Sequence, residues 1–450
     1  MAENLVVVGG VAAGMSAASQ AKRRRPSLNV TVLEKSEFVS YGSCGLPYYI
    51  MDVVKKHTDL IAITKERFKS ERDINVLTRM EVVGIDPREG KVHAVDQNEK
   101  KDVVLPYDYL AITTGASAIR PPIPGIDNRA IFQLRTLDDG LAIKGYIKSS
   151  HVKRTAIIGA GYLGMEMAEA LKGLGFEVIV IEKLPNILGG MDTEITSVVE
   201  KTLESNGVRL LKSSEVKSFD QKDNGLIRIE TTAGSFDVDM VILGIGVRPN
   251  SELAKAAGVV TGERDAILVN EKMETNLPHV YAAGDCATAR HILLKKDLFV
   301  PMGTTANKQG RIAGANIAGA SETFKGAAGT AVVKVFDLEV ARTGLTEREV
   351  RDSKLNAVTT TITSRTRAHY YPGSRPITVK LVIEKKSRRL LGAQMVGGEG
   401  VSKRIDIVVA GLYKGMTIDD LSRLDLSYAP SFAPVWDPLL VAANDAMKKV

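Results

Sequence analysis

One self-similar unit constrains the fold more than anything else in the chain. The segment LVVVGGVAAGMSAASQAKRRRPSLNVTVLEK, starting at Leu5, returns loosely as TAIIGAGYLGMEMAEALKGLGFEVIVIEK from Thr155. Each copy reads as strand, glycine turn, helix and second strand. The runs Leu5 to Val8 and Thr155 to Ile158 are short, rich in β-branched residues and bounded by glycine, as strands covered on both faces are. Ala12, Ala13, Ala17 and Ala18 let the first helix lie close to its sheet, and the second strands end on Glu34 and Glu182.

Further strand-like runs close on turns: YDYLAITTGA at Gly115, DVDMVILGIGVRPN at Gly244 and Gly246, HVYAAGDCA at Gly284 and Asp285. Strands alternating with helices imply open parallel sheets joined by right-handed crossovers. After about Lys325 the texture changes. AVVKVFDLEVART, AVTTTITSRT and ITVKLVIE read as strands without helices between them, joined by YYPGSR or leading into KKSRR, hence an antiparallel sheet. Helices follow over Val401 to Tyr413 and Pro438 to Met447. The 450 residues, at about 150 per domain, fit two α/β units with an appended α+β domain.

The second turn, Gly159-Ala160-Gly161-Tyr162-Leu163-Gly164, is a complete GxGxxG between strand and helix. Its glycines make the turn and let the backbone approach a pyrophosphate, which the helix N-terminus then meets with N–H groups. Glu182, at the end of the second strand, is placed to accept an adenosine ribose 2′-hydroxyl and repel a 2′-phosphate, favouring NADH over NADPH. Lys183 beside it pulls the other way. The first turn keeps Gly9 and Gly14 but has Val11 where the middle glycine would stand.

Several function classes fall away. Two cysteines, Cys44 and Cys286, cannot build a four-thiolate metal site or a disulfide framework, so a reducing cytoplasm is expected. The acidic start MAEN and the glycines interrupting the next apolar stretch argue against a secretory signal, and no run reaches the roughly 18 apolar residues of a membrane span. The six histidines show no metal-ligand spacing, and no metal is expected. Aromatics are 5% and do not interleave with basic runs, against a nucleic-acid platform. The net charge of +7 bears on solubility and acidic partners.

The two units, together with YAAGDCA, TTGA at Thr113 to Ala116 and ANKQGRIAGANIAG from Ala306, resemble the flavin- and pyridine-nucleotide-dependent disulfide reductases over essentially the whole chain. The resemblance implies the glutathione-reductase fold: two Rossmann-like dinucleotide-binding domains, with FAD on 1–112 and 248–324 and NAD(P)H on 113–247, and a dimerisation domain over 325–450. It implies FAD contacts from Gly9, Gly14, Glu34, Lys35, Ser43, Val83, Thr114, Gly115, Arg135, Asp285, Thr304 and Ala306. For NAD(P)H it implies Gly159, Gly161, Tyr162, Gly164, Glu166, Glu182 and Gly246. In such proteins the acid matching Asp285 binds the ribityl–phosphate region. The helix starting near Gly303 to Ala306 points its N-terminus at the flavin N1 and C2 carbonyl, where its dipole stabilises a reduced anion. Tyr162 matches the residue lying over the flavin until nicotinamide displaces it, and Glu166 matches an acid near N5.

The segment Ser40-Tyr41-Gly42-Ser43-Cys44-Gly45-Leu46-Pro47-Tyr48-Tyr49 narrows this further. Glutathione-type reductases carry a second cysteine five positions on, where this chain has Tyr49. Oxidised Cys44 must therefore be a mixed disulfide, a persulfide or a sulfenic acid. Pro47 in a first helical turn sets Cys44 near a helix N-terminus, which is expected to lower its pKa. Cys286 reads as an inert buried residue. The segment is similar to the coenzyme A disulfide reductase branch, with its persulfide and polysulfide reductases. Single-cysteine NADH peroxidases and water-forming oxidases carry a histidine in the first glycine turn, where this chain has Val11 and Ala12.

The branch implies coenzyme A on Gln20, Arg23, Ser40, Ser43 and Asn307, with Arg23 the one member of the run Lys22 to Arg25 that matches a phosphate contact. It also implies Tyr428 and Tyr371, with Tyr370 as the competing choice, as phenols reaching the partner subunit's site and protonating the leaving thiolate. Trp436 lies where some members have a coenzyme-contacting lysine. No rhodanese-like domain is expected within the 450 residues. The expected activity is NAD(P)H-dependent reduction of coenzyme A disulfide, persulfide or polysulfide by a homodimer, with an NADH oxidase and a flavin/thiol redox sensor as rivals.

Overall fold

The computed structural model describes residues 2–450. Its first sheet is parallel throughout, in the order Val280–Ala282, Tyr109–Ile112, Asn4–Val8, Asn29–Glu34, Ile74–Thr78. The glycine-turn strand Asn4–Val8 lies at the centre, where helices cover both faces and leave Leu5 and Val7 with no exposure. The second sheet repeats the arrangement: Val208–Leu211, Glu177–Ile181, Arg154–Ile158, Met240–Leu243, Ile131–Gln133. Ligands of such sheets bind beyond the strand C-termini, where both glycine turns stand. Both chain crossings between the two sheets run through one antiparallel pair, Ala116–Ala118 with Val247–Pro249.

Each unit also carries a three-stranded antiparallel sheet that the helix–strand alternation conceals. One comprises Met80–Asp86, Lys91–Asp96 and Lys101–Pro106; the other Val216–Gln221, Ile227–Thr231 and Gly234–Val238. The C-terminal sheet is antiparallel, ordered Ala331–Val335, Leu338–Gly344, Leu390–Gly397, Pro376–Glu384, Ala357–Arg365, and packs helices Val401–Lys414 and Pro438–Met447. One expectation is corrected here, because a helix, Glu347–Asp352, does stand between these strands. A capping box starts it: the Thr346 side chain accepts from Glu349 N–H while the Glu349 carboxylate accepts from Thr346 N–H. No helix among the described residues is long and apolar enough to cross a membrane.

The first helix, Ala12–Arg24, and the helix Gly303–Ile317 run parallel in close contact. A Cβ on Gly310 would come within 2.3 Å of Ala13 O, and one on Gly314 within 2.2 Å of Ala17 O. Gly314→Ala should therefore lower stability by about 1–3 kcal/mol in urea unfolding, since the obstacle is rigid backbone. A loss below about 0.5 kcal/mol would show that the helices separate freely. The parallel pairing turns both N-termini toward the same cleft.

Candidate active site

Cys44 sits in a 3₁₀ turn, Ser43–Gly45, immediately before the short helix Leu46–Ile50. Its side chain is open to solvent but walled by protein. The expected lowering of its pKa is corrected: burial, and then the Glu166 carboxylate, push the thiol up, while Arg135 only partly opposes them. A five-residue helix presents too little dipole to outweigh these effects. Cys286 is fully buried, its thiol directed at the carbonyls of Ile112 and Ala283. It packs rather than reacts.

Glu166 lies in the first turns of the helix Tyr162–Gly173, half-buried Tyr162 being its first residue. Burial and neighbouring Glu169 push the Glu166 carboxyl up to about 7. Glu169 is itself tied across to the C-terminal domain, accepting from Lys334 and from Phe336 N–H. Because the folded carboxyl keeps its proton longer than the usual 4.5 would allow, Glu166 costs stability increasingly as pH rises from 4.5 to about 7. Glu166→Gln should flatten that slope. It should also lower the midpoint of Cys44 alkylation by iodoacetamide, because a neighbouring negative charge is gone. An unchanged midpoint would mean that the carboxylate is not felt at sulfur.

Both glycine turns open on a left-handed residue, Gly9 at φ 106° and Gly159 at φ 102°, packed against the backbone of Thr113 and Gly244. The two strand-end acids close these turns alike. Glu34 Oε2 accepts from Gly10 N–H and Glu182 Oε2 from Ala160 N–H, each at 2.7 Å. Glu182 Oε1 also accepts from Leu184 N–H at 2.7 Å, so the carboxylate is fixed at the turn's mouth. Lys183 is drawn away by Glu215 at 2.8 Å.

Asp285 follows the strand Val280–Ala282 and a left-handed Gly284. One carboxylate oxygen pairs with Arg135, while Oδ1 is buried without a hydrogen-bond partner among the described residues. Ala306 is buried and Thr304 exposed in the first turn of Gly303–Ile317. Thr114 Oγ1 donates to Asn250 O, and Gly115 and Gly246 take left-handed conformations around the interdomain pair. Lys35 is exposed beside Glu34. Val83 falls at a bulge in Met80–Asp86, its side chain 58% exposed.

A cleft of about 430 Å³ runs between the two parallel helices and the segment leading to Cys44. Gln20, Arg23, Ser40 and Asn307 line it, as do Ser16, Arg72 and Arg311. Ser43, expected with them, is not among the lining residues and lies in the turn that carries Cys44. Arg23 donates to Gln20 at 2.8 Å, Ser16 donates to Asn307 at 2.7 Å, and Arg72 donates to Ser19 at 2.8 Å while lying over the Phe68 ring. Lys22, Arg24 and Arg25 pair instead with Asp73, Glu322 and Glu3. Arg23, Arg72 and Arg311 face the cleft with no ion pair among the described residues. Sequence alone misses Arg72 and Arg311. The only available signal was that Arg311 follows Asn307 by one helical turn.

Tyr428 and Tyr371 are exposed on the C-terminal domain, with Phe432 and Trp436. The hydroxyl that meets Tyr428 is that of Tyr370, and this contact raises the Tyr428 pKa.

The sequence pattern of the pyridine nucleotide-disulphide oxidoreductases matches residues 3–321, and that of their dimerisation domain matches residues 330–438. The chain belongs to this family. The oxidoreductase is 40% identical over 445 residues to the NAD(P)H coenzyme A polysulfide/persulfide reductase of Pyrococcus horikoshii, covering 99% of this chain and 98% of that one. It is 37% identical over 446 residues to a protein of Methanocaldococcus jannaschii named NADH oxidase, covering 99% of each. The solved NAD-dependent persulfide reductase of A. fulgidus superposes with a TM-score of 0.95 at 39% identity, covering 99% of this chain and 83% of that one. The protein is thus an FAD-dependent oxidoreductase that takes electrons from NAD(P)H, and its C-terminal unit is the family's dimerisation domain.

Proposed function

We propose that this oxidoreductase reduces coenzyme A disulfide or coenzyme A persulfide through Cys44. The observation that carries the reading is the cleft: three arginines without carboxylate partners line it, and its Ser40–Gly42 wall leads to a lone accessible thiol. A multiply phosphorylated thiol matches both ends. Gln20, Arg23, Ser40 and Asn307 would hold it. Its relatives in P. horikoshii and A. fulgidus carry the names of persulfide reductases.

Gly9, Gly14, Glu34 and the helix starting at Gly303 would hold FAD, whose hydroxyl donors suit the buried Asp285 Oδ1, which has no partner among the described residues. FAD, when bound, passes the electron pair of NAD(P)H on to sulfur. Gly159, Gly161, Gly164 and Glu182 would hold the pyridine nucleotide. With Lys183 engaged by Glu215, the turn suits a ribose 2′-hydroxyl, which favours NADH. The Cys44 thiolate attacks one sulfur of the acceptor and forms a Cys44–coenzyme disulfide. Coenzyme A thiolate, or hydrosulfide from a persulfide, leaves and takes a proton from the partner subunit's Tyr428. The electron pair from NAD(P)H then cleaves the mixed disulfide, restoring the Cys44 thiolate and releasing coenzyme A with a solvent proton.

The test is intact mass before and after a thiol reductant. Loss of one coenzyme A per chain is expected from the wild type and none from Cys44→Ser. Anaerobic turnover on coenzyme A disulfide and persulfide should accompany it, and failure on both acceptors overturns the reading. The relative named NADH oxidase motivates a second reading, in which oxygen is the acceptor. Undiminished oxygen consumption by Cys44→Ser, with no thiol produced by the wild type, decides for it.

A further inference from the structure

The C-terminal sheet carries a straight polar row across three neighbouring strands. Arg342 pairs in register with Gln394, and Gln394 with Lys380. Lys380 and Gln394 are 0% and 1% exposed. Each member of the row engages the same stretch of the second Rossmann unit, at alternate residues. Arg342 Nη1 donates to Gly190 O at 2.7 Å. Gln394 accepts from Asp192 N–H at 2.7 Å and donates to the Asp192 carboxylate at 2.6 Å. Lys380 Nζ meets Asp192 at 3.0 Å and Glu194 at 2.9 Å, with Glu347 at 2.7 Å from its own domain.

The gripped stretch is the loop that returns onto the second glycine turn. Leu188 N–H donates to Ala160 O at 2.7 Å, and Ala160 is the residue whose N–H binds Glu182. Ile187, Leu188 and Met191 are buried against the helix that starts at Tyr162. The loop reaches this position through left-handed backbone at Leu188, φ 49°, and Gly190, φ 110°. A Cβ on Gly190 would lie 2.7 Å from Arg342 Nη1, so the grip requires glycine there. Asp192 stands at the N-cap of helix Thr193–Ser205 yet makes no cap bond to it, its carboxylate being given to Gln394 and Lys380.

We infer that Arg342, Gln394 and Lys380 are positioning residues for the pyridine nucleotide: the dimerisation domain holds loop 187–192 against the GxGxxG turn and so sets the affinity for NAD(P)H. This rests on assigning that turn to NAD(P)H. The buried ion group makes the link stiff, since Lys380 stays charged among its carboxylates and removal of one partner would leave others uncompensated.

The test uses the FAD-loaded dimer. Gln394→Leu leaves the charge balance intact and is the first variant; Lys380→Met and Arg342→Leu follow, Lys380→Met counting only if it folds. The KM for NADH is expected to rise roughly 2- to 30-fold, with the KM for the sulfur acceptor and kcat at saturating NADH unchanged. A merely structural role would lower thermal stability without that split. An unchanged KM for NADH in folded Gln394→Leu and Arg342→Leu overturns the inference. Glu182→Gln serves as the control. If it shifts the NADH KM and Gln394→Leu does not, the grip is refuted and the turn assignment stands; if neither shifts it, the assignment fails and the grip with it.

Discussion

Cys44→Ser is expected to retain less than about a thousandth of the anaerobic turnover on coenzyme A disulfide, with NADH binding unaltered. The size follows from chemistry rather than packing. A serine hydroxyl at neutral pH holds its proton, cannot attack a disulfide sulfur, and cannot leave a bond to sulfur when an electron pair arrives. Nothing in the chain substitutes for it: the only other thiol, Cys286, is fully buried. The wild-type thiol is moreover held up by burial and by Glu166, so its reactivity should climb with pH until the thiolate dominates. The decisive measurement is production of free thiol per NADH consumed in the absence of oxygen. Turnover of the variant within tenfold of wild type would remove Cys44 from the mechanism and leave a flavin reacting directly with its acceptor.

The architecture was legible because the central parallel strands, Asn4–Val8, Arg154–Ile158 and Met240–Leu243 among them, are buried on both faces and read as apolar runs closing on glycine turns, whereas the edge strands Ile74–Thr78, Ile131–Gln133 and Val208–Leu211 are only partly buried and carry no such mark. The two small antiparallel sheets were not legible. Their strands, Lys101–Pro106 and Val216–Gln221 among them, lie at the surface, alternate weakly and carry charges, which short segments between long α/β signals do not reveal. The helix Glu347–Asp352 is similar in kind, only six residues long and marked solely by its capping box. At the site, motif residues were found where the backbone itself makes the chemistry, as at Gly9, Gly159 and the acids that close their turns. Residues brought in by packing were missed. Arg311 enters the cleft because the glycine face of helix Gly303–Ile317 lies against Ala13 and Ala17, Arg72 because the end of helix Lys65–Arg72 meets Ser19, and the row Arg342–Gln394–Lys380 exists only in the register of three strands. The error over the Cys44 pKa has the same source, since burial and Glu166 belong to tertiary structure.

Arg23→Ala should raise the KM for coenzyme A disulfide by about 10- to 100-fold, and Arg23→Ala with Arg311→Ala should raise it further. Charge bookkeeping decides which basic residues matter. Lys22, Arg24 and Arg25 occupy the same helix end but spend their charge on Asp73, Glu322 and Glu3, so replacing any of them should change KM by less than about threefold. Among the described residues Arg23 meets only neutral Gln20, and it is available to a phosphate. Three such guanidinium groups around one cleft make binding salt-sensitive, so the wild-type KM should climb with ionic strength and that of the double variant should climb less. An uncharged disulfide such as hydroxyethyl disulfide supplies the contrast. It can reach Cys44 but offers the arginines nothing, so its kcat/KM should be indifferent to both substitutions. Equal losses on the charged and uncharged acceptors would mean that the arginines support the fold of the cleft rather than recognise phosphate, and the coenzyme would have to bind elsewhere.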